Sequence, residues 1–353
     1  MRFYRDAHTY YCGIELHART MYLCLIDQHG SVLLEQNLPC EAAAFLLAVA
    51  PYKQDLVVTA ECVFCWYWLA DLCAQQGIPF VLPPALYLKA IHGAKAKNDA
   101  VDASKLAMLL RGGVIPMAYV YPPAMRAARD LMRRRLFFTR KRAELFSHIQ
   151  NTFHQYNQSR PPGEMKSARH RSMLPACFSD PVVRATVEAD LQVCDVYDPL
   201  IRDLEKKIEQ QARNHEPTAL LLLRSIPGIG PILALTILYE IHTIDRFPRV
   251  QDFSSYCRLV KPEHSSAGKR IGSGGAKIGN AHLKWAFSEA AVCFLHNNPR
   301  AHALIQRLRK RHGNGKALSI LAARLGRATY FMLKQKRAFD MNRFFADAKR
   351  KAE

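Results

Sequence analysis

Tyr10-Tyr11-Cys12-Gly13-Ile14-Glu15-Leu16 reads as a short strand with a carboxylate near its end, and Leu56-Val57-Val58-Thr59-Ala60-Glu61 repeats the pattern. Segments 10–16, 20–27 and 31–38 are rich in Tyr, Val, Leu and Ile, and the tight Gln28-His29-Gly30 turn joins the latter two into a hairpin. Downstream, the pattern predicts a helix over 41–50, a strand over 55–60, a helix over 66–76, a strand over 79–82 and a helix over 99–111. An antiparallel meander followed by alternating helices and strands predicts an α/β domain of RNase H-like order. Asp99 and Asp102 stand three apart at the head of the last helix, which sets them on one face. Glu15, Glu61, Asp99 and Asp102 are therefore candidates to hold a pair of magnesium ions for phosphoryl transfer, because hard cations take carboxylate oxygens from several elements. Lys95 and Lys97, just before Asp99, either meet a phosphate beside those ions or line a solvated loop.

The net charge of +20 over 353 residues is unevenly placed. Residues 1–110 hold 8 Lys and Arg against 10 Asp and Glu, leaving 42 of the 50 bases and 20 of the 30 acids for the remainder. An acidic first third joined to a strongly cationic remainder points to a polyanionic partner, nucleic acid being the commonest. The ten cysteines lie mostly in apolar runs and predict reduced core residues of an intracellular protein. Cys62-x-x-Cys65 has no second pair to complete a zinc site. No run of eighteen apolar residues exists, so no membrane span is expected.

From Pro123 to Gln155 the chain reads as one long basic helix, with Arg126, Arg129, Arg133, Arg134, Arg135 and Arg140 interleaved with Leu131, Leu136, Phe137 and Phe138. A second helix is expected over 181–215, and the two resemble an antiparallel coiled-coil arm for gripping phosphates, for dimerisation or for spacing alone. Ile226-Pro227-Gly228-Ile229-Gly230-Pro231, between two apolar stretches, has the pattern of a helix-hairpin-helix. There Gly228 and Gly230 would let backbone N–H groups approach a phosphate, unless the turn is merely structural. The loop from Glu263 to Asn280 combines five glycines with Lys269, Arg270 and Lys277 around exposed serines, a setting for phosphate contact and for a hydroxyl nucleophile.

In this order, Gly13-Ile14-Glu15-Leu16-His17, Glu61, Lys97-Asn98-Asp99-Ala100-Val101-Asp102, Ile226 to Pro231, Ser266-Ala267-Gly268-Lys269 and Lys277-Ile278-Gly279-Asn280 resemble the DEDD transposases of the "one-ten" bacterial insertion-sequence family, which includes the pilin-gene inverting recombinases. The resemblance spans nearly the whole chain. It implies a RuvC-like (RNase H-like) catalytic domain over 1–121, a coiled-coil connector over 122–215, a mainly α-helical transposase domain with helix-hairpin-helix and serine loop over 216–332, and a basic tail over 333–353. It further implies that the four acids bind magnesium, and that Ser266, or the adjacent Ser265, forms a 5′-phosphoserine link to DNA. Acids and serine then belong to different domains, which makes the expected site composite. Donor and target DNA would be chosen by a structured guide RNA, within a dimer that assembles to a tetramer, in the nucleoid-associated cytoplasm. One position departs from the pattern: the first acid of the family is usually aspartate, and here it is Glu15. Two other readings stay open at this stage, a junction nuclease that uses water and a nucleic-acid-binding relative without activity.

Overall fold

The computed structural model describes residues 2–61, 64–91, 98–261, 264–266, 269–272 and 278–349. Lys95, Lys97 and Lys277 lie outside the described residues, and 264–266 and 269–272 are described as backbone. The chain divides into two compact units, Met1–Pro123 and Ala124–Glu353.

The first unit is built on one sheet. Strands β1 (Tyr10–Leu16), β2 (Thr20–Asp27), β3 (Val32–Pro39), β4 (Leu56–Ala60) and β5 (Phe80–Val81) lie in the order β3-β2-β1-β4-β5. The meander β1-β2-β3 is antiparallel, whereas β4 and β5 run parallel to β1. Helices α1 (Ala42–Val49), α2 (Tyr67–Gln75), α3 (Ala85–Ile91) and α4 (Asp99–Arg111) complete the unit. The apolar runs carry the strand assignment, and their alternation divides the core in two. Cys12, Ile14 and Leu16 face Phe45, Val49 and Leu69 of α1 and α2. Tyr11, Val57 and Val81 face Leu88 of α3 and Ala103, Leu106, Ala107 and Leu110 of α4.

Gly13 occupies the centre of the second face. A Cβ there would lie 2.2 Å from the Ala103 carbonyl oxygen and 2.4 Å from the Ala107 nitrogen, so α4 seats its backbone directly on β1. Two features escape the alternation of strand and helix: a 3-10 turn at Ala50–Asp55, which ends α1 early, and α3 itself.

The second unit is helical: α5 (Pro123–Gln155), α6 (Ala168–Arg171), α7 (Pro181–His215), α8 (Pro217–Arg224), α9 (Pro231–Ile241), α10 (Val250–Tyr256), α11 (Ala281–Cys293), α12 (Pro299–His312), α13 (Asn314–Gln335) and α14 (Met341–Lys349), with a two-stranded ribbon of β6 (His264–Ser266) and β7 (Lys269–Gly272). At 33 and 35 residues, α5 and α7 each extend about 50 Å. Side-chain contacts join Arg135 to Glu205, Arg142 to Asp198 and His148 to Asp190, so one helix descends as the other climbs and the pair is antiparallel. Buried apolar residues recur at three-, four- and seven-residue steps along α7, Val183, Val187, Leu191, Cys194, Ile201 and Ile208, as a helix with one packed seam requires. The polar stretch before α7 folds back through Arg171, which is buried and bonded to Asp195 and Asp198.

The core of this unit centres on Tyr239, Phe253, Phe287 and Phe294, all fully buried. The segment expected as a basic tail is in part a packed element. α13 runs to Gln335, and Phe344 and Phe345 of α14 are buried with ring centroids 5.2 and 6.3 Å from that of Phe294. Removing about two aromatic side chains from water outweighs the solvation of the neighbouring charges.

The Gly13 contact generates a prediction. In a Gly13→Ala chain the new methyl meets backbone atoms of α4, which have no rotamer to change, so the first unit loses about 3 kcal/mol or more. Urea unfolding followed by circular dichroism checks this, and unchanged stability contradicts the contact.

Candidate active site and nucleic-acid interface

The four acids come from adjoining elements of the first unit. Glu15 follows Tyr11 and Gly13 in the alternation of β1 and shares their α4-facing side; it is 8 % exposed. In the parallel register Ile14 pairs with Ala60, so Glu61 stands one residue beyond the last pair, next after Val57 and Thr59 in the series that faces α4. Asp99 and Asp102 occupy the first turn of α4, whose N-terminus is closed by the Asn98 side chain accepting the Val101 N–H at 2.8 Å. Helix and strand are stitched at this point: His17, just past β1, places Nε2 3.2 Å from an Asp99 oxygen. Asp102 is 3.5 Å from the Lys105 ammonium.

Among the described residues no three His, Cys, Asp or Glu side chains converge into a group able to hold a metal. Asp99 lies against His17, and Asp102 against Lys105. Donor type fits a hard divalent cation, since the candidate ligands are carboxylates from β1, the end of β4 and the head of α4. Burial pushes the Cys40 and Cys65 thiols up, further from the thiolate form a soft metal takes.

The arginines of the basic stripe have separate fates. Arg126 is buried, at 3 % exposure. Arg133 donates through Nε and a terminal nitrogen to both oxygens of Glu240, at 2.7 and 2.9 Å, and Arg129 donates to the same carboxylate at 3.0 Å. Arg135 is committed to Glu205. Arg134 and Arg140 remain exposed, Arg134 lying over the Phe137 ring at 5.5 Å. Much of the α5 charge thus holds the helical unit together, and Arg126, Arg133 and Arg135, expected as phosphate contacts, are buried or paired with acids of the same unit. The acids that hold Arg135, Arg133 and Arg129 lie 70, 107 and 111 positions away in the chain.

The two glycines of the turn between α8 and α9 also separate. Gly228, at φ +83°, lies where a Cβ would meet the Phe294 nitrogen at 2.5 Å, so its smoothness serves packing against the end of α11. Gly230 has open space around it and caps α9, with Pro231 in the first turn. Ser265 and Ser266 lie in β6, paired with Arg270 and Lys269 of β7, so hydroxyl-bearing and cationic residues stand opposite one another across the ribbon.

Glu240 was invisible as a functional residue. The available signal was a lone carboxylate in the apolar run Pro231–Ile241. It is 2 % exposed and accepts from Asn280 Nδ2 at 2.6 Å in addition to the two arginines. Burial pushes its carboxyl up, yet hydrogen bonding from Arg133, the charges of Arg129 and Arg133, and Asn280 outweigh it and bring the value from 4.5 to about 2. His282, two residues beyond Asn280, is held below its ordinary value by burial and by Arg133, Arg140 and Arg129, with Glu240 opposing. A carboxyl depressed on folding stabilises the native state above its unfolded value and loses that contribution as pH falls toward its folded value. The helical unit should therefore lose about 3 kcal/mol through Glu240 between pH 5 and pH 2, a loss absent from a Glu240→Gln chain. Urea unfolding of both chains across that range checks it, and parallel pH profiles contradict it.

Comparisons with known proteins fit this division of the chain. Residues 12–158 match a DEDD transposase model of the IS110 group, and residues 220–306 match the Transposase IS116/IS110/IS902 family. The transposase for insertion sequence element IS1111A of Coxiella burnetii (strain RSA 493 / Nine Mile phase I) is 24% identical over 289 residues, 80% of this chain and 77% of that protein. The transposase for insertion sequence element IS1328 of Yersinia enterocolitica is 22% identical over 334 residues, 93% of this chain and 97% of that protein. The four acids fall within the first matched region and the glycine turn between α8 and α9 within the second, and the chain belongs to the IS110 family of insertion-sequence DEDD transposases.

Proposed function

We propose that this transposase cuts and rejoins DNA through a covalent serine–DNA intermediate, using a RuvC-like carboxylate domain (1–121), a coiled-coil connector (122–215) and a helical transposase domain (216–332), with 333–353 closing the chain. The observation that carries the reading is the seating of α4 on Gly13, which sets Glu15 on the α4-facing side of β1 and Asp99 and Asp102 at the head of that helix. Glu15, Glu61, Asp99 and Asp102 would hold a pair of magnesium ions, which supply charge neutralisation at a phosphate.

Ser266 Oγ forms the new bond to phosphorus, the bond from phosphorus to the 3′ oxygen breaks, and the serine proton ends on the released 3′ hydroxyl. Because the phosphoserine ester keeps the energy of the broken bond, attack by a 3′ hydroxyl from another strand regenerates serine and completes exchange. Lys269 and Arg270 stabilise the charge that develops on the phosphate oxygens. Gly230 at the start of α9 and the exposed Arg134 and Arg140 contact phosphates without reading bases. A structured guide RNA chooses donor and target, and the α5–α7 pair joins subunits into a dimer and then a tetramer in the nucleoid.

Denaturing gels on end-labelled DNA carrying the ends of the chain's own element test the assignment. Ser265→Ala keeps the protein–DNA adduct and Ser266→Ala abolishes it. An adduct that survives Ser266→Ala transfers the role to another hydroxyl, and cleavage with no adduct in the unaltered chain points to attack by water.

A further inference from the structure

The buried carboxylate of Glu240 does more than neutralise arginines, because its third partner closes the segment that bears the serines. Asn280, at the end of that segment, is held on several sides. Its side-chain oxygen accepts the N–H groups of His282 and Leu283 at 2.9 and 3.0 Å, capping α11. Its amide nitrogen donates to Glu240 at 2.6 Å and to the Tyr256 hydroxyl at 3.3 Å, and its backbone N–H donates to the Tyr256 carbonyl at 2.6 Å. Gly279, at φ +97°, passes so close to the end of α10 that a Cβ would lie 2.6 Å from the Tyr256 carbonyl oxygen. The cap oxygen can serve α11 only while the amide nitrogen points the other way, where the Tyr256 hydroxyl lies at 3.3 Å and the closer acceptor is Glu240, itself fixed by Arg129 and Arg133 of α5.

We propose that Glu240 is a positioning residue for the serine-bearing segment: through Asn280 it fixes where β6 and β7 rejoin the helical core, and it ties that point to α5, the helix whose exposed arginines meet nucleic acid. An apolar contact would pack as well but would not select one orientation of the Asn280 amide. The site needs a charged acceptor because three separate donors converge on it, and a carboxylate alone offers enough lone pairs. The inference rests on the proposed role of Ser266 only for its chemical consequence; the anchoring itself is independent of it.

Three variants of the full chain test it. Glu240→Gln presents one acceptor oxygen and two N–H donors to groups that are themselves donors. Asn280→Ser keeps a helix-capping hydroxyl but is too short to reach Glu240. Glu240→Gln combined with Asn280→Asp returns a carboxylate to the cluster from the other side and lets the new amide at position 240 donate to it. Amide exchange is read at His282, Leu283 and the β6–β7 ribbon, and adduct yield on a supercoiled plasmid carrying the ends of the chain's own element. Either single substitution should speed exchange at these amides about tenfold and lower adduct formation about tenfold or more, with DNA affinity within about threefold of the parent. The double substitution should recover most of both losses, which mere loss of packing would not. An Asn280→Ser chain that folds and matches the parent in exchange and adduct overturns the proposal, as does a folded double variant no better than Glu240→Gln. If the unaltered chain forms no adduct, the serine mechanism fails and exchange alone decides the positioning role.

Discussion

One missing methyl group governs the first unit. Because Gly13 has no Cβ, the backbone of α4 rests on the central strand, and Ala103 and Ala107 keep the helix side of that contact equally shallow. The strand order places β1 between β2 and β4, so whatever is set by β1 is shared across the sheet. Residues two further along β1 and at the head of α4 inherit the close approach, and these are Glu15, Asp99 and Asp102. A divalent cation tolerates little slack in its ligands, so a site drawn from strand and helix needs the two held at a fixed separation. The His17–Asp99 contact at 3.2 Å shows that the two elements already meet at that end.

Electrostatics in the helical unit work by allocation. A chain of net charge +20 would repel itself if its cations were spread without regard to acids, and the structure answers with Glu205, Asp198 and Glu240 placed against Arg135, Arg142, Arg133 and Arg129. Those pairs set the register of α5 against α7 and α9. Burial makes them unequal. Glu240, almost wholly enclosed, is costly to leave unpaired, whereas a surface pair such as Lys141–Glu144 contributes little. What remains for a polyanion is the exposed remainder, Arg134 and Arg140 on α5 among them, so net charge overstates the interface.

The strands of the first unit were legible because each is a short apolar run broken by turn residues, and the two long helices because their charges and apolar residues repeat at helical spacing. α3, seven residues long and directly after Pro83-Pro84, is too short to show a helical repeat of its own. The end of the chain read as a tail because its lysines and arginines masked Phe344 and Phe345, whose burial depends on Phe294, far back along the chain. The acids were legible as candidates by their positions at element ends. The His17–Asp99 contact was not, since the two are far apart in the chain, whereas Asp102 and Lys105 stand three apart on one helix face. Glu240 and the arginines it holds are over a hundred residues apart, and no local rule pairs them. Gly228 and Gly230 look alike in sequence, and only the backbone of α11 tells them apart.

The central claim is that carboxylates from β1, the segment after β4 and the head of α4 act as one cation site. Titration of the full chain with manganese, followed by electron paramagnetic resonance, tests it without reference to DNA. The account predicts saturable binding of about two ions per chain that is lost when Asp99 and Asp102 are both changed to asparagine, with the fold intact. Equal binding by the parent and the substituted chain would contradict it.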